Sequence, residues 1–167
     1  MDELTTWLSR LTFADLGQDE VTARIIDEVA AFGDAQGWRV YRRAPSVVTL
    51  PPPMDKQHSV LDVALARPSA PPIVVEVDHT DRKRTLTKLQ AEAEAGRVAV
   101  WVRWGPGRFT EPPAPIRMIP LPVTRRQGRY TRSLEPDRPA PTHSATVTTG
   151  EVTELPLPGA ELPRPGA

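Results

Sequence analysis

The chain contains no cysteine. Disulfides, thiolate zinc sites and a cysteine nucleophile are therefore excluded. Basic and acidic residues both number 21, so the formal net charge is zero and no global field draws the protein toward nucleic acid. A local basic patch can still serve that purpose. No apolar run approaches the roughly 20 residues needed to span a bilayer, so no membrane association is expected. The opening stretch MDELTTWLSRLTFADLG has acidic residues at its front and no basic segment ahead of an apolar one, unlike a secretory signal. These absences make a soluble, cytoplasmic protein the default expectation. A Gly-rich phosphate loop, a Ser-His-Asp arrangement and zinc-ligand spacing are also missing.

A length of 167 residues fits one ordinary domain with a remainder. Proline is unevenly spread: it clusters at Pro51-Pro52-Pro53, at Pro71-Pro72 and throughout the region after Trp104. From Arg125 onward large apolar residues are few, and the chain cannot bury enough surface to offset its ordering entropy. Residues 125–167 are thus read as a disordered, Pro-rich tail. Its bland reading is a solvated extension. Arg125, Arg126, Arg129, Arg132 and Arg138 leave room for a protein partner or a phosphate contact. Residues 1–18 form an N-terminal helical segment and 19–124 an α/β domain.

Within 2–11, Leu4, Trp7, Leu8 and Leu11 fall at helical spacing. In 19–36, Val21, Ile25, Val29 and Phe32 repeat on one helical face, and Gly37 stands where a helix-ending glycine belongs. Residues 38–43 (WRVYRR), 59–66 (SVLDVALA) and 73–78 (IVVEVD) read as strands. A helix over 83–95 has Leu86 and Leu89 as core contacts and stops at Gly96, before a fourth strand, 98–104 (VAVWVRW). Trp101 and Trp104, three apart on that strand, point to opposite faces. The order predicts an α/β fold: a mixed four-stranded sheet flanked by helices (α-β-β-β-α-β), with an antiparallel meander followed by a parallel crossover.

Asp62 is the one charged residue in SVLDVALA, and Glu76 and Asp78 interrupt an otherwise apolar strand. Side chains two apart on a strand share a face, so Glu76 and Asp78 look the same way. If the second and third strands form a hairpin across RPSAPP, Asp62 lies beside Glu76. Three neighbouring carboxylates repel unless a positive charge compensates them. Mg²⁺ or Mn²⁺ suits such an all-oxygen set. The alternative is that these acids face solvent at strand ends or pair with arginines such as Arg39, Arg42 or Arg103. His79 follows Asp78 directly and is read as structural or exposed more readily than as a ligand or base. Arg82, Lys83 and Arg84 open the second long helix and form a candidate phosphate-contacting, nucleic-acid-binding cluster, against the blander view of a solvated helix start.

This run of elements, with an Asp on one strand and a Glu on the next, resembles the PD-(D/E)xK nuclease superfamily of restriction-endonuclease-like fold over residues 19–104. Asp62 matches the Asp and Glu76 the Glu. The resemblance implies catalytic and metal-binding roles for Asp62, Glu76 and Asp78. It also implies an acidic residue on the opening helix that faces the site, for which Glu28 is chosen and Glu20 is second. The family's Lys position is Asp78 here, which cannot donate positive charge. In such families the Lys can move to the neighbouring helix, and Lys88 is the candidate, although the Leu86/Leu89 phase sets it at the edge of the inward face. The resemblance further implies homodimerisation.

Three readings follow. One is a metal-dependent enzyme hydrolysing phosphodiester bonds in DNA, or in RNA. The second is a catalytically inactive nuclease-fold domain that binds nucleic acid or protein, which the missing Lys and zero net charge favour. The third is an interaction module working through the Pro-rich tail.

Overall fold

A computed structural model describes residues 2–134. The expectations placed on 135–167, including the tail's role as a partner-binding segment, lie outside the described residues.

Among the described residues, three helices and eight strands follow in the order α1 (Asp2–Ser9), β1 (Phe13–Leu16), α2 (Gln18–Ala35), β2 (Arg39–Thr49), β3 (His58–Ala66), β4 (Ile73–Asp78), α3 (Lys83–Glu94), β5 (Val98–Gly105), β6 (Arg117–Pro122), β7 (Thr124–Arg126) and β8 (Arg129–Arg132). The main sheet runs β2-β3-β4-β5-β6. Its first two pairings are antiparallel and its last two parallel, so α3 is the crossover between neighbouring parallel strands. A second, antiparallel sheet has the order β1-β8-β7.

The α/β class and the meander-then-crossover order match the sequence expectation. The four-stranded count does not: β6 adds a fifth strand. Pro120 and Pro122 disguise it, yet both are exposed on an edge strand, where a missing N–H is tolerated. The tail boundary also moves, because residues 125–132 supply β7 and β8 and Tyr130 is buried. The N-terminal segment is not separate either, since Leu4 and Leu8 share a core with α2.

That core lies on one face of the main sheet. Val21, Ile25, Val29 and Phe32 of α2 pack there against Val63, Val75, Val102 and Trp104. Gly33 lets α2 approach: a Cβ there would stand 2.6 Å from Leu65 Cδ2 and 2.7 Å from Val40 Cγ2. Gly37, at φ +71, ends the helix turn as its sequence position predicts. On the other face, α3 packs Leu89 against Val74, Ala99 and Trp101. Trp101 and Trp104 thus serve opposite layers, as the strand period requires. No described helix is long and apolar enough to cross a membrane.

Candidate active-site cleft

β3 and β4 pair from Leu65↔Ile73 to Val63↔Val75, and there the ladder ends. The next partners in that register are Asp62 and Glu76. Instead of a strand carbonyl, the Val77 N–H finds the Asp62 side chain, donating to Oδ2 at 2.8 Å. A strand pair that opens beneath two acidic residues makes a fork, and this fork floors a cleft of about 610 Å³. One wall is the first half of α2, with Asp19, Thr22 and Ile26; the other is the start of α3, with Arg82, Arg84 and Lys88.

Lys88 is buried, and its ammonium donates to Glu76 Oε1 at 2.9 Å and to the Val60 carbonyl at 2.6 Å. The buried stripe of α3 is Thr85, Lys88, Leu89 and Glu92, so the helix turns its polar residues inward and leaves Leu86 half-covered. Lys88 therefore points into the site rather than resting at its edge.

Burial, first, and the neighbouring Asp62 charge, second, push the Glu76 carboxyl up to about 7, against the pull of Lys88. Burial likewise raises Asp62, opposed by the Val77 hydrogen bond and by Lys88 and Arg43. Arg43 stands opposite Asp62 on β2, where the ladder skips from Arg42↔Val63 to Ala44↔Leu61. It adopts φ +52, a left-handed conformation that costs a non-glycine residue about 1–2 kcal/mol. The sequence carries no signal for this residue.

Asp78 lines the same cleft, but its carboxylate is engaged on both sides. Trp101 Nε1 donates to Oδ2 at 2.9 Å, and Arg82 Nε lies 3.4 Å from Oδ1. Arg103 does not pair with the carboxylate; it holds the Asp78 carbonyl at 3.0 Å and the Asp81 carboxylate at 2.8 Å. Arg42 is turned away to Asp27. The fork brings together Asp62, Glu76 and Lys88, with Asp78 as a neighbour tied to Trp101.

Two expected positions are corrected. Glu28 faces away from the cleft: it accepts from Trp7 Nε1 at 3.0 Å and pairs with Arg24 in a separate surface hollow. Glu20 caps its own helix, accepting from the Gly17 N–H at 2.6 Å. The acidic residue that α2 turns to the cleft is Asp19. Of the basic cluster, Arg82 and Arg84 line the cleft, whereas Lys83 lies on the other flank of α3 beside Leu86 and Pro113. His79 also lines the cleft, yet it is built into the wall. Its ring stacks on Trp104 at 4.1 Å, with Nδ1 3.3 Å from the Trp104 carbonyl and Nε2 3.3 Å from the Tyr130 hydroxyl.

Among the described residues no three His, Asp or Glu side chains meet as a ready-made metal cage. The donor chemistry at the fork nevertheless fits a hard divalent cation. Two desolvated carboxylates repel each other there, and Asp62 Oδ1 and Glu76 Oε2 accept no hydrogen bond among the described residues. No family model, curated protein or solved structure matches the chain.

Proposed function

We propose that the cleft hydrolyses phosphodiester bonds in DNA with a divalent metal, as a divergent nuclease of restriction-endonuclease-like type. The observation that carries this reading is the fork itself: Asp62 and Glu76 lie where two strands part, with the Lys88 ammonium 2.9 Å from Glu76. Asp62 and Glu76 would hold Mg²⁺ or Mn²⁺. When bound, such an ion lowers the pKa of a coordinated water and offsets charge developing on the phosphoryl group. Lys88 supplies from α3 the positive charge that Asp78 cannot supply from β4, beside the phosphoryl oxygens on which charge grows. Arg43, Arg82 and Arg84 hold the flanking phosphates. Asp78 has a different role. By accepting from Trp101 it fixes the end of β4, and by pairing with Arg82 it aims that guanidinium along the cleft.

The test is nicking of supercoiled plasmid with Mg²⁺ or Mn²⁺ by the wild type and by D62A, E76A and K88A. Loss of cutting in all three variants, with folding retained, is expected. Cutting that survives in all three would place the activity elsewhere.

A second reading, a nuclease-fold domain that binds nucleic acid without cutting it, is favoured by the closed Glu76–Lys88 pair, in which each charge already has its partner. It predicts DNA binding that falls steeply with salt and no hydrolysis under any metal.

A further inference from the structure

α3 begins without a cap. Its first N–H to find a carbonyl is that of Leu86, which donates to Arg82 O at 3.2 Å. Arg82, at the N-cap position, supplies no side-chain bond, and the N–H groups of Lys83, Arg84 and Thr85 have no acceptor among the described residues. Both nearby carboxylates are committed elsewhere. Arg103 holds the Asp81 carboxylate at 2.8 Å, and Asp78 accepts from Trp101 at 2.9 Å. The first turn holds no acid of its own and carries Lys83 and Arg84, a placement that the positive end of a helix dipole disfavours.

Thr85 adds an independent sign. It is 5 % exposed, lies on the buried stripe of α3 and lines the cleft, yet its hydroxyl has no hydrogen-bond partner among the described residues. Ser59 on β3, 6 % exposed, lines the same cleft, and its hydroxyl is likewise unpartnered there. Neither hydroxyl is sealed in. The one fully enclosed side-chain nitrogen or oxygen without a partner among the described residues is Arg132 Nε. A desolvated hydroxyl left unpaired is unfavourable, and an oxygen-rich ligand in the cleft relieves that.

The donor set specifies the ligand. Three backbone N–H groups, the Thr85 hydroxyl and the exposed Arg84 guanidinium, which has no carboxylate partner among the described residues, stand at the α3 side of the cleft. That is more than the two oxygens of a carboxylate readily accept. A phosphoryl group, with three strongly accepting oxygens and close to two negative charges, matches it, and free N–H groups at a helix start are the general setting for such anions.

We propose that the N-terminus of α3, with Thr85 and Arg84, binds a phosphomonoester group or free phosphate, and does so without metal. The site needs no bond cleavage, so the proposal goes beyond the phosphodiester reading and does not depend on it.

The experiment titrates the ¹⁵N-labelled full chain with inorganic phosphate in EDTA and follows the amide shifts of the wild type, Thr85→Val and D62A. We expect saturable shifts centred on the Lys83, Arg84 and Thr85 amides. T85V, similar in shape but lacking the hydroxyl, is expected to weaken binding about tenfold, and D62A to bind at least as tightly as the wild type. R84Q, a change at an exposed side chain, is also expected to weaken binding and keeps the test intact should T85V not fold. Sodium acetate at matched ionic strength is expected to leave these amides unmoved. Absence of saturation, shifts spread evenly over the exposed arginines, an equal response to acetate, or unchanged affinity in T85V and R84Q overturns the site. Titration with ethyl phosphate separates the two sources: tighter binding than phosphate assigns the site to an ester, weaker binding to the free anion. Phosphate binding without plasmid nicking upholds the site and removes the cutting reading alone.

Discussion

Lys88 Nζ lies 2.9 Å from Glu76 Oε1, joining the inward face of α3 to the end of β4. This pair brings a positive charge into a cleft where, of charged groups, β4 itself contributes only the acids Glu76 and Asp78. It also couples the site's chemistry to its stability, because both partners are buried.

Replacing Lys88 by Met strands Glu76 among desolvated neighbours. Removing one partner of a buried pair costs about 3–5 kcal/mol at pH values where the other stays charged. Protonation of Glu76 lowers that cost, so K88M is expected to lose more stability in alkaline than in mildly acidic buffer. Urea unfolding at both pH values checks this. An equal loss at both would mean that Glu76 does not titrate with the pair.

Glu76 also sets the sign of the pH dependence in the wild type. Its folded-state pKa, about 7, lies above its ordinary 4.5. Between those values the native state binds more protons than the unfolded one, so stability falls as pH rises from about 4.5 to about 7 and then levels. Asp62, also raised, adds in the same direction. E76Q is expected to flatten most of this slope in thermal melts across the range. An unchanged slope would assign it to other groups.

Arg43 separates strain from function. In R43G, relief of the left-handed backbone, about 1 kcal/mol, nearly offsets the extra chain entropy of glycine, so stability changes by less than about 1 kcal/mol. DNA affinity falls, and the salt slope drops by about one. R43A keeps the strain and loses the charge, so it is less stable than R43G with the same binding defect. R43G binding DNA as the wild type does would remove Arg43 from the phosphate contacts.

The two acids on α2 make a paired control. Asp19 faces the cleft and Glu28 does not. E28A is expected to leave plasmid nicking unchanged while costing about 1 kcal/mol through the lost Trp7 hydrogen bond. D19A is expected to alter nicking with little effect on stability. The reverse pattern would restore Glu28 as the helix residue of the site.

What the sequence made legible follows from which residues do ordinary things. IVVEVD is buried at every position, so its apolar run marked β4 to the residue, and its period of two placed Glu76 and Asp78 on one face. Asp62 was readable because an acid inside an apolar strand needs a reason. The choice of Glu28 failed on helix phase: Val21, Ile25, Val29 and Phe32 reveal the core face but not which flank meets the cleft. The half-buried Ile26, beside Thr22 and Asp19, was the available signal. Lys88 was misplaced because hydrophobic periodicity cannot see a buried polar stripe. Thr85, Lys88 and Glu92 occupy the positions that Leu86 was expected to share. β6 to β8 were hidden by prolines that sit harmlessly on an edge and by a turn with Gln127 at φ +50 and Gly128 at φ +73.

The proposed function stands or falls on Asp62 and Glu76 together holding a divalent cation. Calorimetric titration of Mn²⁺ into the wild type, D62A and E76A, at a mildly alkaline pH where Glu76 is ionised, tests it most directly. One saturable site in the wild type, lost in both variants, is the predicted result. No binding to the wild type, or binding that persists in both variants, would contradict it.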